Sequence, residues 1–303
     1  MKIIKSFTSM TIISGALLLT ACSTFPNLAS DTNANKAPAT KTVEFQQIRN
    51  ATIKLDYAGT TFLVDPMLAP KNAYPGFEGT ANSDVRYPKV DLPVTVAEVL
   101  DADAIILTHL HPDHWDDAAR NLVPRDMPIF TQNEADAKTV RQDGFTNVEV
   151  LTDTGVTFNG TKIHKTIGQH GTDAMYQVPP LADVLGKTMG LVFQRPDYKT
   201  LYVVGDTIWN QTVEDTLTRY KPDAVILNTG YAKVDNFDDS IIMGQEDLYR
   251  AYQFSPKAKI IGVHMDNVNH AMLTKAELRR FIEEKHLDKQ RALVPNDGQY
   301  YKF

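Results

Sequence analysis

The feature that most constrains this chain is a dense group of histidines and aspartates directly after an apolar run. Segment 108–116 has the sequence Thr-His-Leu-His-Pro-Asp-His-Trp-Asp and follows the run Asp-Ala-Ile-Ile-Leu at 103–107. The apolar run predicts a buried strand, and Pro112 prevents that strand from continuing through the polar segment. The polar side chains are therefore expected where a strand ends.

Three imidazoles and a carboxylate within six residues, 109–114, are difficult to explain as packing. His109 and His111 share a direction if strand geometry persists that far, and the following turn then brings Asp113 and His114 to the same centre. Imidazole and carboxylate ligands suit zinc, iron or manganese. The segment therefore predicts a transition-metal site.

This segment resembles the signature of the metallo-β-lactamase superfamily, and further landmarks of that family follow in order. His170, in a Gly-Gln-His-Gly sequence, resembles the next histidine ligand, and Asp206, in Gly-Asp-Thr, resembles a carboxylate that bridges two metals. His264 follows the apolar run 259–263 and resembles the last ligand. Upstream, Asp65 in Val-Asp-Pro resembles the aspartate that supports the site from behind the ligands.

The resemblance implies an α/β fold, a four-layer αβ/βα sandwich, in one domain from residue 43 to 303. It also implies two divalent transition metals, with zinc as the first expectation and manganese or iron as alternatives. The implied arrangement places His109, His111 and His170 on one metal, Asp113, His114 and His264 on the other, and Asp206 on both. Three of these side chains are also expected to act in catalysis: Asp113, Asp206 and His264.

Several of these assignments have alternatives. His264 and His270 lie close together in the sequence; His264 is favoured as the ligand because it ends a predicted strand, and His270 then supports the site or contacts substrate. Asp206 could instead cap a helix that begins near Thr207. Trp115, next to the ligands, either lines the pocket or packs beneath the site.

The resemblance also implies the chemistry, which is hydrolysis by a metal-bound hydroxide. A bound metal lowers the pKa of water from about 15.7 to about 7. The chain contains no Gly-x-Ser-x-Gly nucleophile motif and no Gly-x-x-x-x-Gly-Lys-Ser/Thr phosphate loop, and its one cysteine is Cys22. The similarity is greatest to the branch of ascorbate-6-phosphate lactonase-like proteins and N-acylphosphatidylethanolamine phospholipase D, so we expect cleavage of a lactone or phosphodiester. The alternatives are a non-catalytic metal-binding lipoprotein scaffold, a β-lactam hydrolase and an iron-dependent oxidative enzyme.

Residues 1–21 have the pattern of a bacterial lipoprotein signal peptide. Lys2 and Lys5 precede an apolar run shorter than the roughly 20 residues that span a bilayer, and Leu-Thr-Ala-Cys at 19–22 resembles a lipobox. We expect cleavage before Cys22 and lipid attachment to it; a plain signal peptide is the alternative. With Ser23 next, the predicted location is the outer membrane facing the periplasm, or the cell surface in a bacterium with one membrane.

The polar, small-residue stretch 22–42 predicts a flexible tether, because it cannot bury enough surface to fold. The 43% hydrophobic and 22% charged content of the 303 residues is typical of a folded chain. With 31 basic against 37 acidic residues and no basic tract, nucleic-acid binding is not expected. The expected partners are a membrane, through Cys22, and a small-molecule or lipid-like substrate.

Short apolar runs alternate with helical patterns along the domain. Two long loops without regular structure, 66–93 and 172–187, are predicted to form the walls of the pocket. The predicted strands are 51–57, 61–64, 104–108, 128–131, 148–151, 162–165, 189–194, 201–204, 224–227 and 259–263, and the predicted helices are 134–142, 209–220, 245–254 and 275–285.

Overall fold

The computed structural model describes residues 41–303. The predicted signal peptide, Cys22 and almost all of the predicted tether lie outside these described residues. Within 41–303, none of the helices combines the length and the apolar character needed to cross a membrane.

Two seven-stranded sheets form the centre of the domain. Strands and helices are numbered along the chain. In spatial order, the first sheet contains β14 (Tyr300–Lys302), β1 (Val43–Arg49), β2 (Thr52–Tyr57), β3 (Thr60–Val64), β4 (Ala104–Leu107), β5 (Ile129–Thr131) and β6 (Val148–Val150). The second contains β13 (Ala292–Leu293), β12 (Lys259–Val263), β11 (Ala224–Asn228), β10 (Leu201–Val203), β9 (Thr188–Gln194), β8 (Thr161–Gly168) and β7 (Val156–Phe158).

Eight helices connect the strands of the described chain. They are α1 (Val96–Leu100), α2 (Asp117–Leu122), α3 (Glu134–Gln142), α4 (Asp173–Tyr176), α5 (Pro179–Leu185), α6 (Gln211–Tyr220), α7 (Gln245–Phe254) and α8 (Lys275–Glu284). Side-chain caps fix several of their starts; for example, Thr274 and Glu277 form the capping box of α8 that their spacing predicts.

The core has three apolar layers. The central layer joins the facing sides of the two sheets, with Phe62 and Ile106 of the first meeting Phe193 and Ile261 of the second. A second layer lies between one sheet and α1, α2 and α3, and a third lies between the other sheet and α6, α7 and α8. Helices therefore cover the outer side of each sheet, and the predicted four-layer αβ/βα sandwich is confirmed.

The parallel strands determine where the functional side chains lie. β3, β4, β5 and β6 run parallel in one sheet, and β10, β11, β12 and β13 run parallel in the other. The carboxyl ends of parallel strands meet at one edge of a sheet. Asp65 follows β3, His109 follows β4, Asp206 follows β10 and His264 follows β12.

All ten predicted strands are present, but sequence patterns missed β1, β7, β13 and β14. β1 is the longest of these, and polar side chains at Gln46, Gln47 and Arg49 conceal it. The expectation of an unstructured 172–187 segment was wrong, because α4 and α5 lie there. Pro179 occupies the first turn of α5, where a proline costs no hydrogen bond, and Gly186 ends the helix.

Candidate metal centre

The histidine-rich segment forms a turn rather than an extension of β4, which ends at Leu107. Strand geometry therefore does not persist to His109 and His111, and the turn brings them to the same centre instead. The backbone amides of His114 and Trp115 both donate to the carbonyl of His111 at 2.9 Å, and this turn directs the side chains inward. His109 Nε2 lies 2.9 Å from His111 Nδ1.

One group of three histidines can hold a metal ion. The ligand atoms of His109, His111 and His170 all lie within 4.8 Å of one another. In each ring, the nitrogen that does not face the site forms a hydrogen bond with an uncharged oxygen. This hydrogen bond fixes the tautomer and the orientation of the ring. The three oxygens belong to the Thr108 hydroxyl at 3.1 Å from His109 Nδ1, the Val184 carbonyl at 2.7 Å from His111 Nε2, and the Ile241 carbonyl at 2.9 Å from His170 Nδ1.

A second group contains Asp113, His114 and His264, whose ligand atoms also lie within 4.8 Å of one another. His264 Nε2 is 3.2 Å from Asp113 Oδ2 and 3.1 Å from His114 Nε2. The Asn50 amide donates to Asp113 Oδ2 at 3.3 Å. His264 adopts a left-handed backbone conformation, with φ 62°, which turns its side chain out of the β12 direction.

Asp206 lies between the two groups. Its Oδ2 is 3.1 Å from His114 Nε2 and 3.9 Å from His109 Nε2. The same oxygen is 3.7 Å from Nε2 of both His170 and His264. Helix α6 begins four residues after Thr207 and is capped by Asn210, so Asp206 is not a helix cap. One carboxylate oxygen thus faces four imidazoles.

The carboxylate of Asp65 supports the site from behind. Its Oδ1 accepts the backbone amide of Thr108 at 2.7 Å, and its Oδ2 accepts the Thr108 hydroxyl at 2.6 Å and His114 Nδ1 at 2.8 Å. His114 is left with Nε2 directed at the centre. Asp65 therefore contacts a predicted ligand, His114, without belonging to either metal-holding group.

Burial and mutual charge set the protonation of the centre. Burial lowers the pKa of His109 well below its usual value and lowers that of His170 to about 4, so both rings are neutral. Burial alone raises the pKa of Asp113 and Asp206, but His114 opposes it, and the net pKa of each carboxyl lies well below its ordinary value. Burial alone lowers the pKa of His114 and His264, but Asp206 and Asp113 outweigh it and raise both values. Metal binding therefore requires these two rings to lose a proton, because neutral imidazoles and ionised carboxylates are the forms that bind metal.

The donor set fits divalent transition metals. Nε2 of His114 lies 3.1 Å from Nε2 of His264. The same two nitrogens face the carboxylates of Asp206 and Asp113, respectively, and a cation bound among these four groups would stabilise the arrangement. The histidines that the sequence predicted as ligands all enter the two groups, and His270 does not. His164, on β8, instead packs its ring against Tyr220.

Two polar side chains in the centre were not predicted from the sequence. The Asn228 amide donates to Asp206 Oδ1 at 2.6 Å, leaving Oδ2 to face the histidines. Asn228 ends β11 at the same edge as the other site residues, a signal that could have identified it. Asn50 lies in the turn after β1, a strand that the sequence did not reveal.

Apolar clusters flank the centre on two sides. Residues Met67, Tyr74, Phe77 and Tyr87 of the 66–93 loop pack with Val268 and Ala271. Met175 and Leu185, from the α4–α5 segment, pack with Ile241. A cavity of about 560 Å³ opens beside His109 and His111. Trp115 lies outside it, fully buried against Phe145, so of the two alternatives it packs beneath the site.

The fold and this centre define a metallo-β-lactamase-type protein. The beta-lactamase superfamily domain model matches residues 60–265, and the chain belongs to this superfamily. Within it, the chain belongs to the UPF0173 family of metal-dependent hydrolases. It is 45% identical over 258 residues to the UPF0173 protein YddR of Bacillus subtilis (strain 168), covering 85% of this chain and 98% of that protein.

Two solved structures are similar over nearly their whole length. The crystal structure of a possible metal-dependent hydrolase from Veillonella parvula DSM 2008 is 46% identical with a TM-score of 0.84, covering 85% of this chain and 98% of that one. The crystal structure of isothiocyanate hydrolase from Delia radicum gut bacteria is 48% identical with a TM-score of 0.83, covering 86% and 99%. The chain is therefore a metal-dependent hydrolase of this fold.

Proposed function

We propose that this hydrolase adds water to a small, uncharged electrophile held over two metal ions, and that isothiocyanates are the first substrate class to test. The position of Asp206 carries the proposal, because its Oδ2 lies within 3.9 Å of nitrogens from both metal-holding groups. Each group already offers three ligands to one metal ion. A carboxylate that lies between the two groups is therefore suited to bridging two ions in a dinuclear centre.

The metals, when bound, supply a nucleophile at neutral pH by lowering the pKa of water and polarise the electrophilic carbon. The chain's own residues hold the centre in one geometry. Asp65 orients His114, Asn228 orients Asp206, and the Ile241 carbonyl orients His170. Such fixed groups lower the barrier because they need not reorganise during the reaction.

The similarity to the isothiocyanate hydrolase from Delia radicum gut bacteria supports this substrate class. The two proteins are 48% identical, and the similarity covers 99% of that enzyme's chain. The cavity beside His109 and His111 is lined in part by the apolar side chains of Leu110, Val184 and Leu185. An uncharged R–N=C=S molecule with an apolar R group suits this centre and its flanking apolar clusters. Hydrolysis releases an amine and carbonyl sulfide.

An ester-type bond is the second candidate, as the resemblance to lactonase-like proteins predicts. The apolar cluster of Phe77 and Tyr87 next to the centre favours a substrate with an apolar part.

The test is a substrate panel with the purified protein loaded separately with zinc, manganese and iron. The panel contains an aryl and an alkyl isothiocyanate, a lactone, a chromogenic phosphodiester, an N-acyl phospholipid and a β-lactam. We expect turnover of isothiocyanate that chelator abolishes and metal restores. Turnover of the lactone alone would replace the first candidate by the second, and inactivity on all of them would reject the proposal.

We also propose that the enzyme is exported and held on a membrane by lipid at Cys22. The proposal is supported by the Leu-Thr-Ala-Cys sequence after an apolar run. In cells fed a labelled fatty acid, the full chain should become labelled and fractionate with membranes, whereas Cys22→Ser should do neither. An unlabelled wild type would contradict the anchor without affecting the catalytic proposal.

A further inference from the structure

Another buried histidine, His270, belongs to neither metal-holding group; it follows His264 by six residues, and Gly230 lies against both the His264 carbonyl and Ala271. His270 is 7% exposed, and its ring packs edge-on against Phe77 with ring centres 5.0 Å apart. Phe77 in turn stacks on Tyr87 at 4.5 Å. The His270 carbonyl accepts the backbone amide of Lys233 at 3.1 Å. Contacts from two loops therefore hold this residue in place.

The neighbouring Asn269 determines the tautomer of His270. The Asn269 amide nitrogen donates to the Thr80 hydroxyl and the Ala81 carbonyl, both at 2.8 Å, so its Oδ1 is an acceptor. That oxygen accepts the Phe77 amide at 3.0 Å and lies 3.5 Å from His270 Nδ1. Nδ1 must carry a hydrogen to bond there, and a neutral imidazole then has an unprotonated Nε2.

The Nε2 atom of His270 is available to a ligand. The hydrogen bonds found among residues 41–303 include none to this atom, whereas Nδ1 faces Asn269. The charges acting on the ring come from both metal-holding groups: Asp113, His264 and Asp206, and also His111. Burial lowers the pKa of His270 to about 4, so the ring is neutral near pH 7. A hydrogen-bond acceptor therefore lies beside the centre without a protein partner.

We propose that His270 is a catalytic proton relay for the hydrolysis, with Nε2 accepting a proton from the attacking water and passing it to the atom that leaves the carbon. This inference rests on the proposed function. As the water oxygen bonds to carbon, one O–H bond breaks and an Nε2–H bond forms. The electron pair of the broken carbon–nitrogen or carbon–oxygen bond moves to that nitrogen or oxygen, which takes the proton from Nε2.

For an isothiocyanate, the relay completes addition of one water across the C=N bond. The nitrogen receives the relayed proton, and the second water proton moves to sulfur, giving a thiocarbamic acid. That acid separates into amine and carbonyl sulfide when its S–H proton moves to nitrogen. Every proton is accounted for, and His270 returns to its starting state.

The test compares His270→Phe and His270→Gln with His164→Gln, a control at a histidine that packs against Tyr220 away from the centre. His270→Phe keeps a ring next to Phe77 but has no acceptor. We expect kcat to fall about 100-fold, the scale of losing general acid–base catalysis, with KM, metal content and Tm near wild type. Imidazole added to His270→Ala should restore part of the activity, and His164→Gln should retain wild-type kcat.

A readout independent of turnover is nitrogen NMR of the ¹⁵N-histidine-labelled, zinc-loaded protein, with His270→Gln used to assign the signal. We expect the neutral form with hydrogen on Nδ1. The Nε2–H form, or a kcat for His270→Phe within twofold of wild type, would overturn the relay. Wild type inactive on the whole panel would instead reject the proposed function, so the two failures are distinguishable.

Discussion

Asp65 and His114 form the contact on which the geometry of the centre depends. Asp65 Oδ2 accepts His114 Nδ1 at 2.8 Å, which leaves His114 Nε2 at 3.1 Å from both Asp206 Oδ2 and His264 Nε2. A carboxylate in this position orients the ring and makes its other nitrogen a stronger ligand. A residue that contacts no metal can thereby control metal binding.

Asp65→Asn tests this relationship. The amide cannot accept all three hydrogen bonds that Asp65 receives, so His114 loses its orientation. Metal affinity should fall about 10- to 100-fold, measured by competition with a chromogenic chelator. Asp56→Asn, at an exposed position of β2, is the matched control and should bind as wild type does. Equal affinity for Asp65→Asn would refute the supporting role.

Asp206→Ala tests the shared carboxylate. Removing the oxygen that faces four imidazoles should abolish turnover and reduce the bound metal, while circular dichroism remains that of a folded protein. Asp223→Asn, at a surface ion pair with Lys199, should leave activity unchanged. A fully active Asp206→Ala variant is incompatible with a bridging carboxylate.

His170→Asn separates ligand histidines from ordinary ones. His170 Nε2 faces the centre while its Nδ1 is held by the Ile241 carbonyl at 2.9 Å, so the substitution removes one of three ligands from the first group. Bound metal should fall toward one ion per chain, as determined by elemental analysis. The control His164→Asn should retain the wild-type content; the same loss in both variants would indicate general destabilisation instead.

His170 and His270 should stabilise the metal-free protein progressively as pH rises from about 4 to 6.5, against an opposite contribution from Asp116, Asp136 and Asp247, whose pKa values burial raises. His170 and His270 have pKa values of about 4 in the folded protein against 6.5 as the ordinary value, so in this window the unfolded chain binds more protons. His114 and His264 have raised pKa values, are protonated in both states below pH 6.5, and add little slope there.

Urea denaturation across this pH range measures the effect. His270→Gln removes one titrating group, so the slope should decrease by up to about 1.4 kcal/mol per pH unit in the steepest part of the window. His286→Gln, at an exposed position after α8, is the control. A slope for His270→Gln equal to that of wild type would contradict the neutral state assigned to His270.

Much of the fold and centre could be predicted because the decisive signals are local. Apolar runs ending in His109, Asp206 and His264 indicate strand ends, and parallel strands bring such ends together. The groups that orient the ligand histidines could not be predicted in this way. The carbonyls of Val184 and Ile241 orient His111 and His170, yet every residue type has a carbonyl, so no sequence pattern indicates them.

The short helices and edge strands were missed for a related reason. Strand β1, which lies between β14 and β2, was missed because it has polar residues where apolar alternation is expected; Arg49 is buried there by donating to the carbonyls of Met67, Ala69 and Val90. Those contacts come from a loop up to 41 residues away. Helices α4 and α5 are too short for periodicity to reveal, and packing against Ile241 and its neighbours stabilises them.

Metal analysis combined with an activity assay shows whether the histidines and aspartates form a dinuclear catalytic centre. The purified protein should contain close to two transition-metal ions per chain, lose both metal and turnover in chelator, and regain turnover when metal is returned. A folded wild-type protein that binds no metal, or that keeps full activity after its metal is removed, would contradict the account.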